Sequence, residues 1–207
     1  MPTRNLTRTV AVALAVLIAL ATSSCGSSGR ELRDPAPGAT APPRRPAPAG
    51  TLGSSTTLGT VFALTTDAWA PGAEIPERYT CDGTNVSPPL VISQIPPGTA
   101  ELAIVVTDPD ANDFVHWVVA GIPPSTTAIE EGTVPSGAVQ ASTSARTVGW
   151  FGPCPPPGST HHYDFVLYAL AAPSGVVEGQ DPAGAIDAIE RAPQAAPPAV
   201  MTGTYER

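Results

Sequence analysis

The sequence predicts a mainly β domain. Three observations carry this. Val- and Ile-rich runs recur from residue 60 onward, each is bounded by Pro, Gly or Asp, and helical periodicity is confined to one stretch near the C-terminus. The runs are 60–65, 90–92, 101–107, 114–120 and 164–171, each predicted as a strand. Between them stand Pro71-Gly72, Asp82-Gly83, Pro96-Pro97-Gly98 and Pro123-Pro124, pairs that suit turns and would break helices. The one helix is predicted over 181–191. Pro182 follows a capping Asp181, Ala185, Ile186 and Ile189 fall at helical spacing, and Pro193 ends it. No internal repeat is present.

The domain is preceded by two other segments. Residues 1–24 carry Arg4, Arg8 and an apolar run over 10–21, then Thr-Ser-Ser before Cys25. This pattern predicts a secretory signal, since the run is short for a bilayer span and small residues suit a signal peptidase. Cys25 followed by glycine resembles a bacterial lipobox, with Cys25 as the lipid-bearing first residue. An ordinary cleaved signal with an incidental cysteine is the alternative. Residues 25–57 are rich in Pro, Gly, Ser and Ala, with Pro35, Pro37, Pro42, Pro43, Pro46 and Pro48 favouring extended conformations. Such a stretch cannot bury a core and is predicted to be a spacer between a lipid anchor and the domain. Residues 58–207 are enough for one domain with one core. The expected address is the extracytoplasmic side of the cell membrane.

Charge excludes several functions. The chain has 18 acidic and 10 basic residues, the basic ones all arginine, and a net charge of −8. Only Arg78, Arg146, Arg191 and Arg207 lie in the domain. A nucleic-acid partner is not expected, because phosphate neutralisation needs a basic face, and lysine-based covalent chemistry is excluded. With Cys25 set aside, Cys81 and Cys154 remain in an oxidising compartment, where two cysteines usually pair. The competing role, Cys154 as a nucleophile beside His161, lacks a third orienting group.

The three histidines mark the candidate site. His116 closes the segment that starts at Asp108, and His161 and His162 follow a Gly152-Pro-Cys-Pro-Pro-Pro-Gly158 run. Imidazole both donates and accepts hydrogen bonds near neutral pH, so two loops are expected to converge on one small ligand. Asp108 ends a strand that Pro109 cannot continue, which presents Asp108 and Asp110 at the sheet rim. Alternation puts His161 and Tyr163 on one face and His162 and Asp164 on the other. By the same rule His116 goes with Val118, and Val115, Trp117 and Val119 form an opposite, apolar face with Trp117 in the core. The proline-rich run is expected to be a rigid wall whose glycines allow close backbone approach.

These residues resemble the phosphatidylethanolamine-binding protein family, in its bacterial and archaeal, Raf-kinase-inhibitor-like branch. The matching stretches are Tyr79-Thr-Cys-Asp-Gly-Thr-Asn-Val-Ser-Pro-Pro-Leu90, Asp108-Pro-Asp-Ala111, His116-Trp117, Ile122-Pro-Pro124, Glu131-Gly132, Gly152-Pro-Cys-Pro-Pro156, His161-His-Tyr163 and Gly203-Thr-Tyr205. The resemblance implies two antiparallel sheets in a Greek-key-like sandwich with short C-terminal helical elements. It also implies a pocket for phosphate-like headgroups lined by Asp108, Asp110, His116, Gly152, Pro153, Cys154, Pro155, His161 and Tyr163, with Phe114 as an apolar edge. Three departures touch one rim: Asn112 stands where the family has proline, Ile92 where it has tryptophan, and Ala-Ser-Thr-Ser-Ala-Arg146 where an Asn-Asp-Phe-Gly turn is usual. The extra C-terminal helix of eukaryotic relatives does not follow Tyr205, which implies a more open pocket.

Three functions are compatible with these residues. The first is a membrane-tethered module binding a phospholipid headgroup or another small anionic group, with protonated imidazole, the Tyr163 hydroxyl and backbone N–H groups as donors and no catalytic residue. The second is a zinc hydrolase using Asp108, Asp110, His116 and His161. Their spacing matches no compact metal motif, so neither metal nor cofactor is expected. The third is a protein-inhibitor module acting on an envelope hydrolase or kinase.

Overall fold

The computed structural model describes residues 61–207. The signal, Cys25, the spacer and the first residue of the first predicted strand lie outside the described residues. Eight strands form two antiparallel sheets. One holds β1 (Ala63–Thr65), β2 (Leu90–Ser93) and β5 (Ala128–Ile129) in the order β1-β2-β5. The other holds β3 (Glu101–Asp108), β4 (Phe114–Ile122), β6 (Val139–Gln140), β7 (Thr160–Leu170) and β8 (Ala199–Glu206) in the order β6-β4-β3-β7-β8.

The main core lies between the sheets. Leu64, Leu90, Ile92 and Ile129 of the small sheet share a buried cluster with Leu102, Ile104 and Val106 of β3 and Phe165 and Leu167 of β7. The outer face of the large sheet is also covered. Helix α1 (Pro182–Arg191) packs Ala185 and Ile189 against Ala103, Val105 and Val118. Burial on both faces explains why β3 reads as an unbroken apolar run and not as an alternating one. The helix starts as expected, with the Asp181 side chain accepting from the Gly184 N–H at 2.9 Å and Pro182 in the first turn.

Two irregularities in the β3–β4 ladder shape the molecule. Leu102 pairs with Ile122 but Ile104 pairs with Val119, which leaves an extra residue in β4 around Gly121, a position with φ +71°. Buried Glu101 fastens this bulge by accepting from the Gly121 N–H at 3.0 Å and from the Ser174 hydroxyl at 2.6 Å. The second shift falls at the site. Val106 pairs with Trp117 while Thr107 pairs with Val115, so His116 has no partner across the ladder.

This bulge corrects the strand-face expectation for β4. Val115 joins Val118 and Ala120 in the cluster beneath α1, while Trp117 and Val119 face the other sheet. The His116 ring meets Tyr163, a member of the inter-sheet cluster, edge-on with centroids 5.2 Å apart. Simple alternation fails because one inserted residue reverses every side chain beyond it. Trp117 is in the core as expected, 1% exposed, with its ring N–H donating to Gln140 Oε1 at 2.8 Å.

Candidate functional site

Asp108 is the last residue of β3 and caps the 3-10 turn Pro109–Ala111 that follows it. One of its oxygens, Oδ1, accepts from the Ala111 N–H at 3.1 Å. The other, Oδ2, lies 2.7 Å from His161 Nδ1. Both partners are sheltered, with side chains 4% and 14% exposed. Since a carboxylate can only accept, Nδ1 of His161 carries the hydrogen and Nε2 is left for other use.

The turn beyond Asp108 passes through two left-handed residues. Asn112 and Asp113 sit at φ +54° and +55°. Proline, fixed near φ −65°, could not occupy position 112 in this conformation.

His116 is 3% exposed. Its Nδ1 is 2.6 Å from the Phe151 carbonyl oxygen, and the Phe151 N–H donates back to the His116 carbonyl at 3.1 Å. A carbonyl accepts only, so here too Nδ1 bears the hydrogen. The rings of Phe114 and Phe151 flank the imidazole with centroids 4.9 and 5.8 Å away. Burial lowers the His116 pKa below its ordinary value, against the smaller opposing pull of the Phe151 carbonyl and Asp108. The ring is thus neutral near neutral pH, which corrects the expectation of an imidazolium donor at this position.

A pH effect on stability follows. Between the ordinary histidine pKa of about 6.5 and the lower folded value, the unfolded chain binds a proton that folded His116 refuses. The unfolded state is then the more protonated one, so the contribution is full above that window and is lost as pH falls through it. In urea titrations between about pH 6.5 and 5, His116→Gln should lose stability less steeply than the parent chain. Equal slopes would contradict a neutral buried ring.

The face prediction for β7 agrees with the geometry. Tyr163 points inward and is fully buried, while His162 points out to the surface. There His162 pairs with Asp110, whose Oδ2 accepts from the His162 backbone N–H at 2.7 Å and lies 2.8 Å from its Nδ1. These hydrogen bonds, the backbone one first, hold the Asp110 carboxyl below its usual pKa. The Tyr163 hydroxyl is buried beside Asp108 and the Cys154 backbone N–H, and Tyr163, expected in the pocket, lies behind the cavity lining. Burial, then the Asp108 charge, raises its pKa.

Asp108, Asp110, His116 and His161 open onto one cavity of about 540 Å³. Its other walls are Ala111, Phe114, Phe151, Cys154 and Pro156. Ala111, Phe151 and Pro156 were not among the residues expected from sequence. Phe151 adjoins the proline-rich run and could have been suspected as a second aromatic beside Phe114.

Gly152, Pro153 and Pro155 are placed differently from the expectation. They are buried behind the cavity surface, and only Cys154 of the four expected wall residues lines the cavity. The close approach that requires Gly152 is to the protein itself. A Cβ there would lie 2.5 Å from both Asn85 Oδ1 and the Tyr79 carbonyl oxygen. The run is stapled to residues 79–85: Cys81 N–H donates to the Pro153 carbonyl at 3.0 Å, Gly152 N–H donates to Asn85 Oδ1 at 2.8 Å, and Cys81 and Cys154 form the expected disulfide. Among the described residues, no group of three or more His, Cys, Asp or Glu side chains is placed to hold a metal ion.

Known proteins resemble this chain in sequence and fold. The family model described as "Phosphatidylethanolamine-binding protein" matches residues 65–206. The chain is 38% identical over 209 residues to the "Putative lipoprotein LppC" of Mycobacterium tuberculosis, covering 99% of each chain. It is 41% identical over 166 residues to a "UPF0098 protein" of Mycobacterium bovis, covering 76% of this chain and 78% of the other. The crystal structure of E. coli YbcL, described as a member of the mammalian PEBP family, superposes with a TM-score of 0.66 at 29% identity, covering 70% of this chain and 98% of that one.

Proposed function

The chain belongs to the phosphatidylethanolamine-binding protein family, and on that premise we propose that it is an exported, lipid-anchored module that binds a small phosphate-bearing group without turning it over. The observation that carries this reading is the cavity floor. Two imidazoles are each fixed by a hydrogen bond through Nδ1, so each ring is oriented with Nε2 free beside a buried carboxylate, and all three groups line the cavity. Polar groups pre-oriented in this way cost little to order when a ligand arrives. Phe114 and Phe151 supply an apolar flank for the rest of the ligand.

The proposed address rests on Cys25 and its flanks, together with the name of the full-length mycobacterial relative. No helix among the described residues is long and apolar enough to cross a membrane. Anchoring would reside in the lipid, so Cys25→Ser should leave the domain folded and release it from membranes. Fractionation after a salt wash checks this. A variant that still pellets with membranes contradicts the anchor.

A further inference from the structure

A second cavity, of about 240 Å³, shares no lining residue with the first. Sequence neighbours part between the two: His116 and Phe151 line one, Trp117 and Trp150 the other. The rings of Trp117 and Trp150 meet edge-on in this second cavity, with centroids 5.6 Å apart. Both indole N–H groups are engaged within the protein, with Gln140 Oε1 at 2.8 Å and with the Tyr79 carbonyl at 3.1 Å. What these indoles offer a ligand is therefore ring surface alone.

The polar groups around the rings are amides and hydroxyls. Gln140 and Asn85 each have the side-chain oxygen taken by an N–H, from Trp117 and from the Gly152 backbone, both at 2.8 Å. This fixes which end of each amide is nitrogen, and neither nitrogen has an acceptor among the described residues. Gly149 keeps the Gln140 amide uncovered, since a Cβ there would lie 3.6 Å from its oxygen and 3.8 Å from its nitrogen. Ser87 is 4% exposed, yet its hydroxyl has no partner among the described residues and is not sealed from solvent, so that oxygen opens into the cavity it lines. A hydroxyl at that depth is normally bonded. No lining side chain is ionisable, and Glu131, beside the lining Gly132, is held by Arg78 and Tyr79. An ion entering here would lose its hydration and find no opposite charge.

We propose that this cavity is a second binding site, for an uncharged sugar ring, separate from the site of the phosphate-bearing group. A pyranose turns C–H faces to aromatic carbon and carries a girdle of hydroxyls, each able to accept from an amide N–H and to donate to or accept from a serine. A purely apolar ligand would leave both amides and the Ser87 hydroxyl unmatched. The volume is below the ~300–1,000 Å³ of sites for drug-sized ligands, so it suits one ring, and a longer glycan enters by its terminal unit. A free monosaccharide and the end unit of a glycan share this chemistry.

Saturation-transfer NMR and tryptophan-fluorescence titration of the full-length protein test this with the methyl glycosides of glucose, mannose and galactose, each beside the 6-carboxylate of the same sugar. At least one neutral glycoside is expected to saturate, with its carboxylate at least about tenfold weaker. Tighter binding of the corresponding trisaccharide assigns the site to a glycan end, and otherwise to the free sugar. Asn85→Asp and Gln140→Glu each keep the oxygen that holds Gly152 or Trp117 and remove the amide donors. Ser87→Ala breaks no bond within the protein and is the variant least able to disturb the fold. Each of the three, with a parent-like urea midpoint, should weaken the sugar by about three- to tenfold, the worth of one neutral hydrogen bond. Four results would overturn the proposal: no neutral glycoside that saturates, equal binding of the carboxylate, undiminished binding by all three variants, or displacement of the sugar by phosphoethanolamine, which would place it in the first cavity.

Discussion

Replacing both Cys81 and Cys154 with serine should lower the unfolding free energy by about 4 kcal/mol. The bridge joins residues 73 apart in sequence with Cα atoms 5.4 Å apart. Closing so long a loop removes a large share of the unfolded chain's freedom, which is where most of the stabilisation arises. The native contacts around it include hydrogen bonds that survive the substitution, notably Cys81 N–H to the Pro153 carbonyl and Gly152 N–H to the Asn85 side chain. The fold should therefore persist at low temperature and melt earlier. Urea unfolding of the oxidised parent and the double variant measures the difference. A loss under about 1 kcal/mol would mean that the unfolded chain is not constrained by this bridge in solution.

The second large effect concerns ligand affinity. His161→Ala should weaken binding of phosphoethanolamine by about ten- to hundredfold, the worth of one charge-assisted hydrogen bond of roughly 1.5–3 kcal/mol. It removes an imidazole that lines the cavity, and it leaves the buried Asp108 carboxylate without its imidazole partner. His162→Ala should change affinity little. Its ring is 57% exposed and lies outside the cavity lining, touching the carboxylate of Asp110 at the rim. The two histidines are neighbours in sequence and differ only in the direction that the strand gives them.

Much of this was legible before the structure, and the exceptions have physical causes. The long strands and the helix were legible because each combines an apolar run with a recognisable boundary: Pro109 after β3, Asp181 and Pro182 before α1. β7 begins at Thr160, four residues before the predicted 164, so both adjacent histidines lie in the strand. β5 and β6 are two residues each, too short to show a period. β8 was hidden by Gly203 in mid-strand. A Cβ there would lie 2.6 Å from Ile75 Cγ1 and 2.8 Å from Trp69 Nε1, so the glycine serves packing and not a turn.

In the site, the selection of His161 over His162 followed from alternation, which holds where β7 is regular. The same reasoning misplaced Val115, because a bulge depends on the partner strand and leaves no mark in a single sequence. The protonation of His116 was misjudged for a related reason. Its carbonyl partner, Phe151, is 35 residues away, and burial is a property of the assembled sheets.

The central claim is that the cavity floored by Asp108, His116 and His161 receives the phosphate-bearing group. Titration calorimetry of phosphoethanolamine with the parent protein, His161→Ala and His162→Ala, each confirmed folded, tests it most directly. The account predicts measurable binding to the parent, a loss of about ten- to hundredfold for His161→Ala and less than about twofold for His162→Ala. Equal losses at the two histidines, or undiminished binding by His161→Ala, would contradict it.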